Sequence, residues 1–275
     1  MADDATEIEA VLALLFSQLE ARIAELVKAA NKPPVVQTVE VQTTGAASSI
    51  PTASPVRAVK ALNALPDKAA DELFGIENFS NPVKIFDGGN REEFDKNYEW
   101  QPLVAKTLAL LGGYEAKGKF IAWFWGPAGG GKTSAPRQFA AITGRPFFPL
   151  TFDGTMSRLE INGGFQAAAD GSTYWKDGML TAAIRQPGAV ILLDEITRSS
   201  PDDIVFLNQV AESKGRSITI PETGEVVKVA PDVIFVICDN TNGTGDPDGR
   251  FQGTKVMDTS FLDRASFTVK VEPPE

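Results

Sequence analysis

The sequence predicts an α/β domain whose parallel strands carry a phosphate site at their carboxyl ends. Three observations predict it. Apolar runs of strand length alternate with helical stretches from about residue 100 onward. The run Phe120–Trp125 leads directly into Gly126-Pro127-Ala128-Gly129-Gly130-Gly131-Lys132-Thr133, which matches G-x-x-x-x-G-K-[ST], and Ser134 to Ile142 then reads as a helix. A second run, Ala189 to Leu193, ends in Asp194-Glu195, the pattern of a buried parallel strand with acids at its carboxyl end.

Each part has a chemical reason. The glycines of the first motif let main-chain N–H groups curl around a polyphosphate, and the following helix, opened by Ser134, adds its positive end. Gly126 to Ser134 are therefore the nucleotide-binding set. Lys132 reaches the β- and γ-phosphates and Thr133 holds Mg²⁺ through its hydroxyl. Asp194 is the second metal-binding residue, direct or through water. Glu195 is placed to polarise the attacking water as general base.

Composition narrows the class. The chain has 275 residues, enough for one α/β domain plus an arm, and 43% apolar content builds a core. Its 36 acidic against 26 basic residues give a net charge of −10, which argues against a stand-alone nucleic-acid binder. One cysteine, Cys238, excludes an internal disulfide and fits a reducing cytoplasm. The absence of histidine removes His-based metal sites and His-dependent triads. No signal peptide and no apolar run of membrane-spanning length are visible.

In order, Thr6 to Ala30 reads as one helix, opened by a capping-box pair Thr6 and Glu9. Ile8, Leu12, Leu15, Leu19 and Leu26 make it a short coiled-coil candidate, broken at the seam by Arg22. Residues 31–55, rich in Pro, Thr, Ser and Gly, read as a flexible linker, so residues 1–30 form an arm and 56–275 the catalytic domain. Val59, Leu62 and Leu65 suggest a short helix ended by Pro66, with another turn over Asp71–Ile76 and a better helix over Gln101–Leu111. Phe74, Gly75 and Ile76 are candidates for an adenine wall. Phe147–Phe152 is a strand that Pro149 assigns to an edge. Met156–Ile161 is helical, Asp170-Gly171 centres a hairpin, and Lys176–Gln186 resumes the helix. Pro201–Glu212 reads as a helix, and a second hairpin turns at Pro221–Gly224. Val233–Cys238 is a core strand ending at Asp239-Asn240-Thr241, where a polar side chain would face the γ-phosphate or the lytic water. Ala265–Val271 is the last strand.

With these residues in hand, the chain resembles AAA+ ATPases of the MoxR and cobaltochelatase ATPase-subunit type, from roughly Asp71 to Val271. Leu193-Asp194-Glu195-Ile196-Thr197-Arg198 looks like the family's L-D-E-I-x-R segment. Val236–Asn240 with Gly243, Gly245 and Asp246, then Gly253-Thr254 and Leu262-Asp263-Arg264, look like the chelatase subunit, as do Leu73–Ile76, Ser157-Arg158 and Lys176–Gly178. The resemblance implies a five-stranded parallel sheet in the order 5-1-4-3-2, with the two hairpins as the helix-2 and pre-sensor-1 inserts lining a pore. It also implies a hexameric ring with Mg²⁺ and ATP at the subunit interfaces. Asn240 would be the sensor-1 residue and Arg264 the arginine finger reaching a neighbour, with Arg198 a second candidate for a trans contact. The family's helical lid, with its sensor-2 arginine, is not recognisable after Val271.

The function this implies is ATP-driven remodelling of a protein partner, which can include one bearing a metal-binding adhesion domain; a cobaltochelatase subunit proper is the narrower version and ranks below it. Two alternatives stand beside it. One is a nucleic-acid motor of a virus or mobile element, for which Lys176, Lys214, Arg216 and Lys228 are the helpful hairpin charges. The other is a nucleotide-gated scaffold with little turnover.

Overall fold

The computed structural model describes residues 62–89, 91–113, 120–199, 206–212, 215–245 and 254–273. All belong to the compact unit Pro51–Glu275. The predicted arm, residues 1–30, and linker, residues 31–55, lie outside the described residues, as do Lys214, Asp246 and Gly253.

The core strands are apolar on both faces because both faces are covered. Five of them form a parallel sheet: β3 (Ile121–Trp125), β4 (Phe147–Thr151), β7 (Val190–Asp194), β10 (Ile234–Asp239) and β11 (Phe267–Lys270). Their order is β11-β3-β10-β7-β4. Counted along the chain, that is the expected 5-1-4-3-2. The strand with the proline, β4, is at the edge, where Pro149 leaves no ladder bond unmade.

Alternation along each strand sorts the core into two layers. Ile121 and Trp123 of β3, with Ile191 and Leu193 of β7, face one layer. It is closed by α4 (Arg158–Asn162), α5 (Met179–Ile184), α6 (Leu207–Val210) and α7 (Thr259–Leu262). Ala122 and Phe124, with Val190 and Leu192, face the other. It is closed by α1 (Ala70–Phe74), α2 (Pro102–Gly112) and α3 (Ser134–Thr143). Trp123 is 1% exposed and still satisfies its indole N–H, which donates to the Thr241 carbonyl at 3.2 Å.

Two hairpins lie outside the sheet, the second packed on the first core layer through Ile218, Ile220 and Val227. The pair β5 (Gly163–Ala167) and β6 (Thr173–Asp177) turns through Asp170-Gly171, where Gly171 has φ +85°. The pair β8 (Ser217–Ile220) and β9 (Glu225–Lys228) turns through Pro221–Gly224. Arg185, just past α5, links them: it pairs with Asp177 at the base of the first hairpin at 2.8 Å and with Glu225, beside the turn of the second, at 2.8 Å.

Three expectations are corrected. The short helix expected through Leu62 and Leu65 up to Pro66 is not found among the described residues: Ala64 opens β1 (Ala64–Ala69), antiparallel to β2 (Pro82–Phe86), and Val59 lies outside them. Pro66 is accommodated at an irregularity between Leu65 and Lys68, where the register shifts. The helix after the first hairpin starts only at Met179, because Lys176 and Asp177 belong to β6. Of the helix expected over residues 201–212, residues 201–205 lie outside the described part and α6 covers only Leu207–Val210.

Candidate functional site at the carboxyl ends of the strands

The loop after β3 is shaped by its glycines. Gly126 has φ +141°, and a Cβ there would collide with the Val271 carbonyl oxygen. Gly129 (φ +87°) and Gly131 (φ +81°) are left-handed. A Cβ on Gly129 would meet nothing within 4 Å, so conformation rather than space requires glycine there. The loop then feeds directly into the amino end of α3. This is the geometry in which main-chain donors hold an anion.

The reactive side chains meet here. Lys132 is 8% exposed, and its amine donates to the Gly126 and Pro127 carbonyls at 2.8 and 2.7 Å. Burial pulls its pKa down, while the nearby Asp194, Asp239 and Glu195 carboxylates oppose that shift. Thr133 donates its hydroxyl to Asp194 at 3.1 Å. Burial raises the Asp194 pKa, the Thr133 bond opposes the rise, and the negative charges of Glu195 and Asp239 add to it. Glu195 takes a left-handed conformation, φ +58°, a strained choice for a side-chain-bearing residue. Its N–H donates to the Cys238 carbonyl at 2.8 Å, and its carboxylate pairs with Arg198 at 3.2 Å. The phosphate loop and the Asp194-Glu195 pair thus come together. Asn240 follows the tip of β10, the strand between β3 and β7.

The arginines are placed differently from one another. Arg264 donates to the Ser260 carbonyl and pairs with Glu212 at 2.6 Å, and none of the site residues of its own chain is its partner. Arg198 is engaged with Glu195 in the same chain. Arg216, counted above as a charge for nucleic acid, is spent on the fold. It donates to the Val210 and Val233 carbonyls and lies over the Phe120 ring at 4.1 Å, and burial pushes its pKa down to about 10. Phe74 and Ile76 are buried; Phe74 packs edge-on to Trp100 at 4.9 Å and stacks on Phe139.

Sequence reading missed four supports of the loop. Gln101 donates to the Gly130 and Glu272 carbonyls, both at 2.9 Å, bracing the loop against the segment after β11. Tyr98 bonds Ser134 through its hydroxyl at 3.2 Å. The Cys238 thiol, which burial keeps protonated, approaches the Lys132 carbonyl at 3.0 Å. Asp239 does not face the site, as the sequence reading expected of a polar side chain there. It is 2% exposed and turned onto Thr197. Each partner is far away in sequence, so no local pattern announces it. A cavity of about 250 Å³ lined by Arg137, Arg145 and Phe147 opens elsewhere, beside the edge strand, and contains none of these residues.

The donor set suits Mg²⁺. A hydroxyl and one carboxylate oxygen, hard ligands 3.1 Å apart, leave the remaining positions to water and phosphate, as that ion prefers. Among the described residues no cluster of three or more acidic, Cys or His ligands competes with this reading.

A glycine-shaped phosphate loop, an acidic strand end beside it and a 5-1-4-3-2 parallel sheet define a P-loop nucleoside-triphosphatase fold. The model of the AAA domain, dynein-related subfamily, matches residues 123–265, and the chain belongs to this family, within its MoxR/CobS-like group of AAA+ ATPases. It is similar to Protein NorQ of Paracoccus denitrificans, 34% identical over 111 residues, 40% of each chain. It is similar to the denitrification regulatory protein NirQ of Stutzerimonas stutzeri, 32% identical over 115 residues, 42% of this chain and 41% of the relative. Similarity to the aerobic cobaltochelatase subunit CobS of a Sinorhizobium species runs further, 28% identical over 207 residues, 74% of this chain and 61% of the relative. The chain thus spans less than two thirds of each of these relatives. Among the described residues no helix is long and apolar enough to cross a membrane.

Proposed function

We propose that this protein binds Mg-ATP at the carboxyl ends of β3 and β7 and hydrolyses it, as a subunit of a cytoplasmic ring, to do conformational work on a protein partner. One observation carries the reading: the Thr133 hydroxyl meets the Asp194 carboxylate while Lys132 and Glu195 stand at the same edge. Gly126 to Ser134 enclose the phosphates. Lys132 exchanges its two loop carbonyls for β- and γ-phosphate oxygens, a stronger, charge-assisted pair. Thr133 and Asp194 hold Mg²⁺, which neutralises charge on the transferring phosphoryl group when bound. Glu195 takes the proton of the attacking water, and Asn240 orients that water against the γ-phosphate.

Arg264 is the residue we assign to a neighbouring subunit's site, leaving Glu212 when the ring closes. Residues 1–30 serve as an arm that raises the local concentration of subunits, and residues 31–55 as its tether. The two hairpins are the working surface, and their shared Arg185 brace makes them move together. The partner in this proposal is a protein, one bearing a metal-binding adhesion domain being a case of it.

The test is ATP hydrolysis against protein concentration, with light scattering. Specific activity is expected to rise as the ring forms. Glu195→Gln should lose roughly 10²- to 10⁴-fold in kcat and keep nucleotide binding. Arg264→Ala should lose about 10³-fold or more, and recover when mixed with Glu195→Gln, which supplies an intact finger. Tight binding with no turnover at any concentration would instead favour a nucleotide-gated scaffold. Turnover that needs DNA and falls steeply with salt would favour a nucleic-acid motor.

A further inference from the structure

Asp239 sits at the carboxyl tip of β10, the strand flanked by β3 and β7, yet its carboxylate is withdrawn from solvent, 2% exposed. A buried carboxylate is tolerated only when its oxygens are filled with donors. Here Oδ2 accepts the Thr197 N–H at 2.9 Å, while Oδ1 accepts the Thr197 hydroxyl at 2.8 Å and the Asn240 N–H at 2.7 Å. The Asp239 carbonyl accepts the N–H of Gly126, first residue of the phosphate loop, at 3.2 Å. Thr197, itself fully buried, lies in the 3-10 turn Ile196–Arg198 immediately after Glu195. One residue therefore touches the start of the phosphate loop, the turn behind the general base and the main chain of the sensor residue.

We infer that Asp239 is a positioning residue that locks the Glu195 turn to the Asn240 main chain, so that base and sensor are aligned as one unit. The inference rests on the hydrolytic reading above. The lock follows from the donors it fills. Thr197 N–H and Asn240 N–H are both obligate donors, so only a group accepting on both oxygens satisfies them. An amide in the same place must turn its NH₂ toward one of the two. The isosteric Asp239→Asn variant therefore keeps the volume and breaks the lock at one end. Threonine at 197 adds the third bond, which serine can make and valine cannot.

The test uses the full chain, with fluorescent-nucleotide affinity and steady-state hydrolysis measured for every variant. Asp239→Asn is expected to lower kcat by roughly tenfold or more, with nucleotide affinity changed by less than about threefold. Thr197→Val should fall in the same direction by a smaller factor, and Thr197→Ser should retain wild-type turnover. Adding Asn240→Ala to Asp239→Asn should cost far less than it costs alone, because the sensor is already released. Two results would overturn the inference: an Asp239→Asn enzyme with wild-type kcat, or losses that simply multiply when the two changes are combined. Loss of affinity and of kcat together in Asp239→Asn would mark a merely structural role. Should that variant fail to fold, the Thr197→Val and Asn240→Ala pair reads the same coupling. A wild-type chain that binds nucleotide but never hydrolyses it defeats the hydrolytic reading, and this inference falls with it.

Discussion

The two ends of the central sheet each bury cations, and they treat them in opposite ways. At the amino ends of β4, β7 and β10, Arg145 is 1% exposed, and both its terminal nitrogens are engaged while its buried Nε is left without a partner. It donates to the carbonyls of Gly188, Asp232 and Gly112 at 2.9–3.2 Å and stacks over Phe86 at 4.6 Å. At the carboxyl ends, Lys132 is held only by the carbonyls of its own glycine-rich loop. Burial lowers the pKa of both, Arg145 to about 10. A depressed pKa alone therefore does not separate a functional cation from a structural one. The partners do: Arg145 joins three segments of the fold, whereas Lys132 bonds two carbonyls of one loop, which in the proposed function it gives up for phosphate.

The largest effect that tests this contrast is on stability. Arg145→Met should leave three buried carbonyls without their donor, at about 1 kcal/mol or more each, for a loss of at least ~3 kcal/mol. For a body of this size that is a fall in Tm on the order of 6–12 °C. Lys132→Ala should change the Tm of the nucleotide-free protein by only about 2 °C and abolish the upward shift that ATP produces in wild type. Thermal melts with and without Mg-ATP check both. Equal melts for Arg145→Met and Lys132→Ala would erase the distinction between the two ends.

A second contrast concerns sign. The Asp194 pKa is raised, chiefly by burial, so in the nucleotide-free state folding disfavours its charged form. Above its folded pKa the full penalty is present; as pH falls toward the unfolded value near 3.8 the penalty disappears. Asp194→Asn should thus raise Tm at neutral pH without ligand, and the gap from wild type should close near pH 4. With Mg-ATP the order should invert, because only wild type gains binding energy. Melts across pH, with and without Mg-ATP, read both signs. A variant that melts below wild type without ligand at pH 7 would show that Asp194 is a structural acid.

How much of this was legible beforehand follows from distance along the chain. The phosphate loop and the Asp194-Glu195 strand end are local patterns, so their place in the fold could be read directly, as could the edge strand from Pro149. Strand order came only through the likeness to known proteins, since nothing within a strand names its neighbour. Residues 64–69 misled because β1 is exposed along most of its length, with no alternation to betray it. Its pairing partner β2 is what makes it a strand. Arg145, Gln101 and Asp239 were invisible as supports because their partners lie 29 to 171 residues away. Arg216 was misjudged for the same reason: a cation beside a hairpin looks like a nucleic-acid contact until two carbonyls and two rings claim it.

The smallest expected effect sits at Arg185, which joins the base of the first hairpin to the turn end of the second. Arg185 is 21% exposed, and its pKa is raised, first by its bond to Glu225, then by Asp177. That is the reverse of Arg145, whose neighbours are carbonyls and rings. A paired, partly solvated cation should contribute little to stability, so a double-mutant cycle of Arg185→Gln with Glu225→Gln should return about 0.2–1 kcal/mol, less in high salt. The same cycle scored by partner remodelling should show a larger coupling if the brace makes the hairpins move together. A stability coupling above ~2 kcal/mol that salt does not screen would place Arg185 with Arg145, as a structural clamp.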